Sequence, residues 1–178
     1  IDTFKEGEEW LKLMHVPYLS NLNELVSQSE IKGLIEANEL VFNDHIRECA
    51  DIINENKELK IALISGPSST GKTTTTKRLS SYLKSLGRNT ITISVDDYYK
   101  DFEETPKDEN GEYDYESLNA IDVEMFNKDL KALLEGKEVY LPIYDFVIKK
   151  KNRQSNSVKM TENSILAINK QSCMGCGL

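Results

Sequence analysis

The 178-residue sequence predicts an α/β fold in which a parallel β-sheet is flanked by helices and follows an N-terminal helical segment. Three observations lead to this prediction. Apolar residues recur every three or four positions within residues 21–57, which is the period of an amphipathic helix. Two short apolar runs, at 60–65 and 89–95, enclose a glycine-rich turn and a helical pattern. A further apolar run at 164–168 has the length and composition of a buried strand.

The N-terminal segment, residues 1–57, is predicted to be helical, with Gly33 weakening its middle or separating two shorter helices. An amphipathic stripe predicts burial against a core and nothing more specific. We therefore interpret this segment as packing beside a nucleotide domain that comprises residues 58–178. The apolar stripe consists of Ile31, Leu34, Ile35, Phe42, Ile46, Cys49 and Ile53.

Residues 60–95 have the pattern of a β-α-β unit. The run at 60–65 is bounded by charge and by a glycine, which is typical of a buried parallel strand. Residues 74–86 predict a helix, and residues 89–95, rich in β-branched side chains, predict a second strand. A parallel pair joined by a helix implies a right-handed crossover. We expect the second strand to lie beside the first.

The remainder of the chain is less regular. Residues 96–119 predict a long polar loop, and long ordered loops in compact domains are often functional. Residues 122–135 predict an amphipathic helix, and the apolar run at 139–147 is interrupted by a proline. Residues 149–153 predict a basic turn. From Asn169 onward the sequence has no clear pattern.

Composition excludes several classes of partner. The net charge of −8 argues against a large duplex-binding surface, so we expect no nucleic-acid partner. No apolar run approaches the roughly 20 residues of a membrane span, and no secretory signal is present at the start. The three cysteines do not form a disulfide framework. These features predict a cytoplasmic protein with reduced thiols and no membrane partner.

A phosphate-binding turn follows the first predicted strand. Its two glycines let consecutive backbone N–H groups converge on phosphate oxygens, and the following helix contributes the positive end of its dipole. We expect Lys72 to reach the β- and γ-phosphates and the Thr73 hydroxyl to ligate Mg²⁺. The turn predicts a P-loop NTPase fold that binds ATP, and we assign Thr74, the next residue, to the same nucleotide site. Its residues are Gly66, Pro67, Ser68, Ser69, Thr70, Gly71, Lys72 and Thr73.

The P-loop leaves the reaction open, because kinases, GTPases and ATPase motors share it. The two elements of a GTPase have only partial counterparts, at 108–111 and 169–172, and the second lacks the acid that pairs with guanine. A motor ATPase usually has a hydrophobic strand that ends in acidic residues after the P-loop, and residues 93–97 match that pattern only in part. Asp96 lies instead where a carboxylate can accept a proton from a hydroxyl that attacks the γ-phosphate. Asp97 is then placed to serve the metal.

Five segments between residues 61 and 168 resemble the uridine kinase and phosphoribulokinase family of P-loop kinases in both order and spacing. The resemblance implies phosphoryl transfer from ATP to the 5′-hydroxyl of a nucleoside such as uridine or cytidine. The helical segment is also similar to the region that precedes the kinase domain in bacterial-type members. The segments are the P-loop, VDDYY at 95–99, YDYES at 113–117, LEGK at 134–137 and LPIYDF at 141–146.

The family's functional residues have counterparts here. The resemblance implies that Asp96 is the catalytic base, acting with the P-loop residue Lys72. It implies that Tyr99 and Tyr144 contact the nucleoside and that Asp114 binds the ribose. A carboxylate accepts hydrogen bonds from ribose hydroxyls, and an aromatic ring packs against a base. Because related kinases often self-associate, a homo-oligomer is compatible with the resemblance.

The resemblance is incomplete in two places. Nucleoside kinases of this type carry a histidine that reads the pyrimidine where this chain has Val, Ile and Lys at 147–149. Beyond residue 168 the family continues with a further acidic segment and an arginine-bearing lid, which residues 169–178 do not resemble. We therefore expect a C-terminally truncated kinase domain that binds nucleotide poorly and turns over slowly or not at all. An NTP hydrolase without an acceptor and a nucleotide-binding remnant with little catalysis stay open as alternatives.

Overall fold

Helices form the N-terminal part of the chain. In the computed structural model, which describes residues 2–67, 70–115 and 117–171, they are α1 (Asp2–Leu13), α2 (Leu19–Ser27) and α3 (Ile31–Glu55). The Trp10 Nε1–H donates a hydrogen bond of 2.9 Å to Asn38 Oδ1 and so joins α1 to α3. Of the two roles predicted for Gly33, the separation of two helices is wrong, because α3 continues through this residue. Helices α2 and α3 are instead separated before Gly33, at Ser29. The φ of Ser29, 62°, is left-handed, which is typical of a residue that follows the end of a helix.

The contacts between Cα atoms divide the chain into two units, Ile1–His45 and Ile46–Leu178. The predicted domain boundary between residues 57 and 58 stays a prediction. Within the described residues, none of the helices combines the length and the apolar character that crossing a bilayer requires.

Three parallel strands form the main sheet, in the order β1-β5-β2. They are β1 (Ile61–Gly66), β2 (Asn89–Ser94) and β5 (Ser164–Gln171). The expectation that the second strand lies beside the first is wrong, because β5 lies between them. Ile168 is in register with Leu63 of β1 and with Ile93 of β2. The side chains at 165–168 are at most 3% exposed, and such a strand is suited to the centre of the sheet.

Helices cover both faces of this sheet, which confirms the predicted α/β fold. On one face, α4 (Lys72–Ser85) and residues 46–55 of α3 pack on Ile165 through Leu79, Leu83 and Ala50. On the other, α5 (Val123–Leu134) contributes the fully buried Leu133 to a larger cluster. That cluster also contains Ile91, Ile93, Val95, Tyr98, Val139, Leu141, Met160, Leu166 and Ile168.

A β-hairpin follows α5. Its strands β3 (Pro142–Asp145) and β4 (Lys150–Arg153) are antiparallel, so the prediction of a basic turn at 149–153 is wrong. Asp145 Oδ1 accepts hydrogen bonds from two backbone N–H groups of the turn, at 2.8 and 3.2 Å. Lys151 pairs with Asp122 at 2.6 Å, and Arg153 pairs with Asp129 at 3.0 Å. These acids lie far away in sequence, so the local pattern did not reveal the basic strand.

The two adjacent leucines that end α5 provide a matched test of this packing. Leu133 is fully buried, whereas Leu134 is 46% exposed. We expect Leu133→Ala to lower the free energy of unfolding by about 2–5 kcal/mol, because it leaves a cavity in the core. Leu134→Ala is expected to cost less than about 1 kcal/mol. Urea unfolding followed by circular dichroism measures both free energies. Equal losses in the two variants would contradict the assignment of the Leu133 face of α5 to the core.

Candidate active site

The turn after β1 is shaped by its glycines. Gly71 precedes the first residue of α4 with a left-handed φ of 81°, which glycine adopts without strain. A Cβ at Gly66 would lie 3.0 Å from Thr70 Oγ1, so a side chain there would crowd the turn. Thr70 Oγ1 donates a 2.8 Å hydrogen bond to the Pro67 carbonyl, and Lys72 Nζ donates to the same oxygen. The turn therefore folds back over the start of α4.

Within the described residues, the first three backbone N–H groups of α4 have no recorded hydrogen-bond partner. Thr75 N–H is the first to bond inside the helix, to the Gly71 carbonyl at 2.9 Å. The N–H groups of Lys72, Thr73 and Thr74 precede it, and such groups at a helix start bind phosphate oxygens. The side chains of Thr73 and Thr74 are exposed. Ser68 and Ser69, which the sequence also assigns to the nucleotide site, lie outside the described residues.

The predicted base lies within electrostatic reach of the P-loop lysine. Asp96 belongs to a single 3₁₀ turn, Val95–Tyr98, that directly follows β2. Burial, and then the neighbouring charge of Asp97, raises the pKa of Asp96, while the positive charge of Lys72 lowers it. The structure thus brings Asp96 within electrostatic reach of Lys72, although 23 residues separate them in the chain.

Asp97 faces the hairpin. Its Oδ1 accepts a 3.2 Å hydrogen bond from the backbone N–H of Tyr144 in β3. Burial raises the pKa of Asp97, and this hydrogen bond partly offsets the increase. Asp97 therefore ties the end of β2 to the strand that carries a predicted substrate residue.

Four aromatic side chains pack together beyond this turn, and we call them the aromatic cluster: Tyr99, Tyr115, Tyr144 and Phe146. The Tyr99 ring centroid lies 6.1 Å from that of Tyr115, 5.6 Å from that of Tyr144 and 6.2 Å from that of Phe146. The Tyr99 hydroxyl donates a 3.2 Å hydrogen bond to the Tyr115 carbonyl. Two predicted substrate residues, Tyr99 and Tyr144, are thus in one cluster.

The third predicted substrate residue, Asp114, immediately precedes Tyr115 of the cluster. Its Oδ1 accepts a 3.0 Å hydrogen bond from the Ser117 backbone N–H, which orients the carboxylate within the loop. Its own N–H donates to the Pro106 carbonyl at 2.8 Å. Asp114 is therefore held beside the cluster by backbone contacts of the long polar loop.

The polar loop and the hairpin are connected directly. The Phe102 N–H donates to the Lys149 carbonyl at 3.2 Å, and the Lys151 N–H donates to Asp101 Oδ1 at 2.9 Å. Tyr115, Phe146 and Lys149 were not assigned to the site from sequence. Tyr115 and Phe146 lie inside the family segments at 113–117 and 141–146, and Lys149 lies in the region of the family's histidine, but segment membership does not show where a side chain lies.

A model of the phosphoribulokinase / uridine kinase family matches residues 61–169, more than half of the chain. The chain belongs to this family. The matched region begins at β1 and ends within β5, so it contains the whole site described above.

Individual members of the family are similar in sequence to this chain at moderate identity. The uridine kinase of Ligilactobacillus salivarius (strain UCC118) is 33% identical over 112 residues, which cover 63% of this chain and 51% of that protein. The uridine kinase of Borrelia duttonii (strain Ly) is 32% identical over 117 residues, which cover 62% of this chain and 50% of that protein. This chain therefore spans about half the length of the curated relatives it matches.

One solved structure supports the fold. It is described as that of a possible uridine kinase from Bacillus stearothermophilus, and it matches with a TM-score of 0.53 and 19% identity. The match covers 75% of this chain and 74% of that one. At this identity the likeness shows the P-loop kinase fold of the family.

The donors near the P-loop fit a family that uses Mg²⁺. Among the residues that the structure describes, no group of three or more His, Cys, Asp or Glu side chains forms a metal cage. Mg²⁺ in phosphotransferases is commonly held by one or two protein oxygens together with substrate phosphates and water. The exposed Thr73 hydroxyl and the Asp97 carboxylate are hard oxygen donors of the kind that this ion prefers.

The raised pKa of Asp96 makes a prediction about stability. A carboxyl group with a higher pKa in the folded state weakens folding as the pH rises from its unfolded value, about 3.8, through its folded value. Asp96→Asn mimics the neutral form, so we expect it to raise the melting temperature at pH 7. The gain should shrink towards zero below the unfolded pKa. Thermal unfolding across this pH range measures it.

Asp108 is the matched control for this measurement. Hydrogen bonds, first of all from the Glu112 backbone N–H, lower the pKa of this exposed carboxyl group. Its charged form therefore favours folding, and Asp108→Asn should not raise the melting temperature at pH 7. If both variants changed the melting temperature in the same direction, burial of Asp96 would not be the dominant cause.

Proposed function

We propose that this chain catalyses ATP- and Mg²⁺-dependent phosphoryl transfer to the 5′-hydroxyl of a nucleoside, with uridine or cytidine as the acceptor. The observation that carries the proposal is the half-buried Asp96, whose pKa responds to the charge of Lys72. A carboxylate within electrostatic reach of a P-loop lysine can accept the proton of a hydroxyl that attacks the γ-phosphate. Neither an NTP hydrolase nor a simple nucleotide-binding protein requires that arrangement together with the aromatic cluster.

Asp96 acts as the general base. The acceptor hydroxyl gives its proton to the Asp96 carboxylate while its oxygen bonds to the γ-phosphorus. The bond from that phosphorus to the β–γ bridging oxygen breaks, and ADP leaves with the bonding electrons. Burial raises the pKa of Asp96, which makes the carboxylate a stronger base than one in water.

Lys72 and the start of α4 serve the phosphates. The Lys72 ammonium exchanges its contact with the Pro67 carbonyl for the β- and γ-phosphate oxygens. The N–H groups of Thr73 and Thr74 supply further donors. Thr73 and Asp97 would hold Mg²⁺, which neutralises phosphate charge when it is bound.

The aromatic cluster forms the acceptor pocket in this proposal. The rings of Tyr99 and Tyr144 offer faces and edges against which a base packs. The Asp114 carboxylate, with Oδ1 oriented by the Ser117 N–H, accepts hydrogen bonds from ribose hydroxyls. The names of the curated relatives support a nucleoside in this pocket, because both relatives are uridine kinases. Homo-oligomerisation stays a prediction.

A product analysis tests the proposal. With γ-labelled ATP and Mg²⁺, we expect labelled uridine or cytidine monophosphate to form. Asp96→Asn should lower kcat by about 10²–10⁴-fold, because the general base is lost, while ATP affinity changes only a few-fold. Lys72→Ala should weaken ATP binding as well, because it removes a phosphate ligand. The exposed loop variant Asp108→Asn serves as the carboxylate-to-amide control and should retain the wild-type rate.

The outcomes separate the alternatives. Phosphate release without a nucleoside monophosphate would identify an NTP hydrolase. Tight ATP binding without any turnover would identify a nucleotide-binding protein. A wild-type rate in Asp96→Asn would show that another group accepts the proton.

A further inference from the structure

We propose that Asp129 is a positioning residue for the phosphoryl transfer, because it holds the turn that carries the base Asp96 at a fixed distance from the hairpin that carries Tyr144. The inference rests on the proposed function, since it concerns the placement of Asp96 relative to the acceptor. One oxygen of the Asp129 carboxylate accepts hydrogen bonds from both of these elements. Asp129 itself lies in α5 and takes no part in the proton transfer.

Asp129 lies on the buried face of α5. It is 6% exposed, and the fully buried Leu133 follows it one helical turn later. A carboxylate at such a position loses its hydration and requires hydrogen-bond partners. Replacement of a buried ion pair by apolar residues of similar volume is often neutral or stabilising. Core packing alone therefore does not favour a charge at this position.

The first partner of Asp129 is Tyr98, the last residue of the 3₁₀ turn that contains Asp96. Tyr98 is buried, and its hydroxyl donates a hydrogen bond of 3.3 Å to Asp129 Oδ2. Its ring packs edge-on against that of Phe126 in α5, with the centroids 5.1 Å apart. Its carbonyl accepts the N–H of Asp122, the N-cap of α5, at 2.8 Å. Both the side chain and the backbone thus attach the turn to α5.

The second partner of Asp129 is Arg153, the last residue of the hairpin strand β4. Its Nη1 donates to the same oxygen of Asp129 at 3.0 Å and also to the Tyr140 carbonyl, two residues before β3. Arg153 is opposite Pro142, the first residue of β3, in the register of the hairpin. Asp129 therefore fixes the end of the hairpin from which the strand with Tyr144 begins.

A second link between the turn and the hairpin lies at the site itself. The Tyr144 N–H donates to Asp97 Oδ1 at 3.2 Å. One such contact leaves the hairpin free to pivot about it, whereas the additional link through Asp129 fixes the separation of the two elements. The ion pair of Lys151 with Asp122 also attaches the hairpin to the start of α5, but it includes no side chain of the turn.

The decisive measurement is a cycle of variants at Asp129 and Asp96. We expect Asp129→Leu to lower kcat by about tenfold or more, since misplacement by about 1 Å can cost on the order of 10²-fold. The KM for ATP should not change, because the P-loop lies between β1 and α4. In the Asp96→Asn background the same substitution should cost much less, because the base that it positions is absent. An equal fold-loss in both backgrounds would overturn the inference.

Leu133→Ala is the matched control on the same face of α5. It removes core packing and leaves the hydrogen bonds of Asp129 in place. We expect it to lower the melting temperature but to keep the wild-type kcat well below that temperature. A loss of kcat as large as that of Asp129→Leu would show that a weakened core is responsible, and it would overturn the inference.

A double variant, Tyr98→Phe with Asp129→Leu, keeps the test valid if the single variant folds poorly. Asp129→Leu alone leaves the buried Tyr98 hydroxyl without its partner, and such a group is destabilising. The double variant removes that hydroxyl, so we expect a melting temperature at least as high as that of the single variant. It should show the same loss of kcat. A wild-type kcat in a folded double variant would overturn the inference.

Hydrogen exchange at the Tyr144 amide separates this inference from the proposed function. Because that N–H bonds to Asp97, its exchange rate reports the contact of hairpin and turn without any substrate. If no phosphoryl transfer occurs, but Asp129→Leu speeds this exchange more than Leu133→Ala does, the reaction is wrong and the role of Asp129 stands. If transfer occurs and Asp129→Leu changes neither kcat nor exchange, only the inference is overturned. If no transfer occurs and exchange is unchanged, both are overturned.

Discussion

The parallel pairing of β5 with β1 and β2 is the constraint on which the site depends. Gly66, the last residue of β1, is in register with Gln171, and Ser94, the last residue of β2, is in register with Asn169. Parallel strands end at the same edge of a sheet, so this pairing places the P-loop and Asp96 at one edge. Without β5, β1 and β2 would have no common partner among the described strands.

The same edge concentrates charge in a partly buried environment. Asp96 and Asp97 are adjacent, both are removed in part from water, and burial is the largest influence on the pKa of each. The positive charge of Lys72 lowers the pKa of Asp96 and so offsets part of the increase caused by burial. The hydrogen bond from the Tyr144 N–H does the same for the pKa of Asp97. Groups that weaken folding and serve a reaction are a common feature of active sites. Stability and the proposed catalysis are therefore opposed at Asp96.

The hairpin connects the two halves of the site. Its strand β3 contributes Tyr144, whose N–H bonds to Asp97 and whose ring packs on Tyr99. Its turn contributes Lys149, which contacts the polar loop through its backbone and its ammonium group. Because the ion pairs of Lys151 and Arg153 attach β4 to acids in and beside α5, the position of the hairpin depends on the core helix.

The sequence by itself determined the α/β class, the phosphate-binding turn and the family, because period, glycine placement and motif order are local properties. Only the tertiary structure decided that β5 separates β1 from β2, that residues 150–153 form a strand, and that Tyr115 and Lys149 lie at the aromatic cluster. Strand order depends on which strand buries both faces, and side-chain proximity depends on contacts between distant segments. Neither property is encoded in the spacing of neighbouring residues.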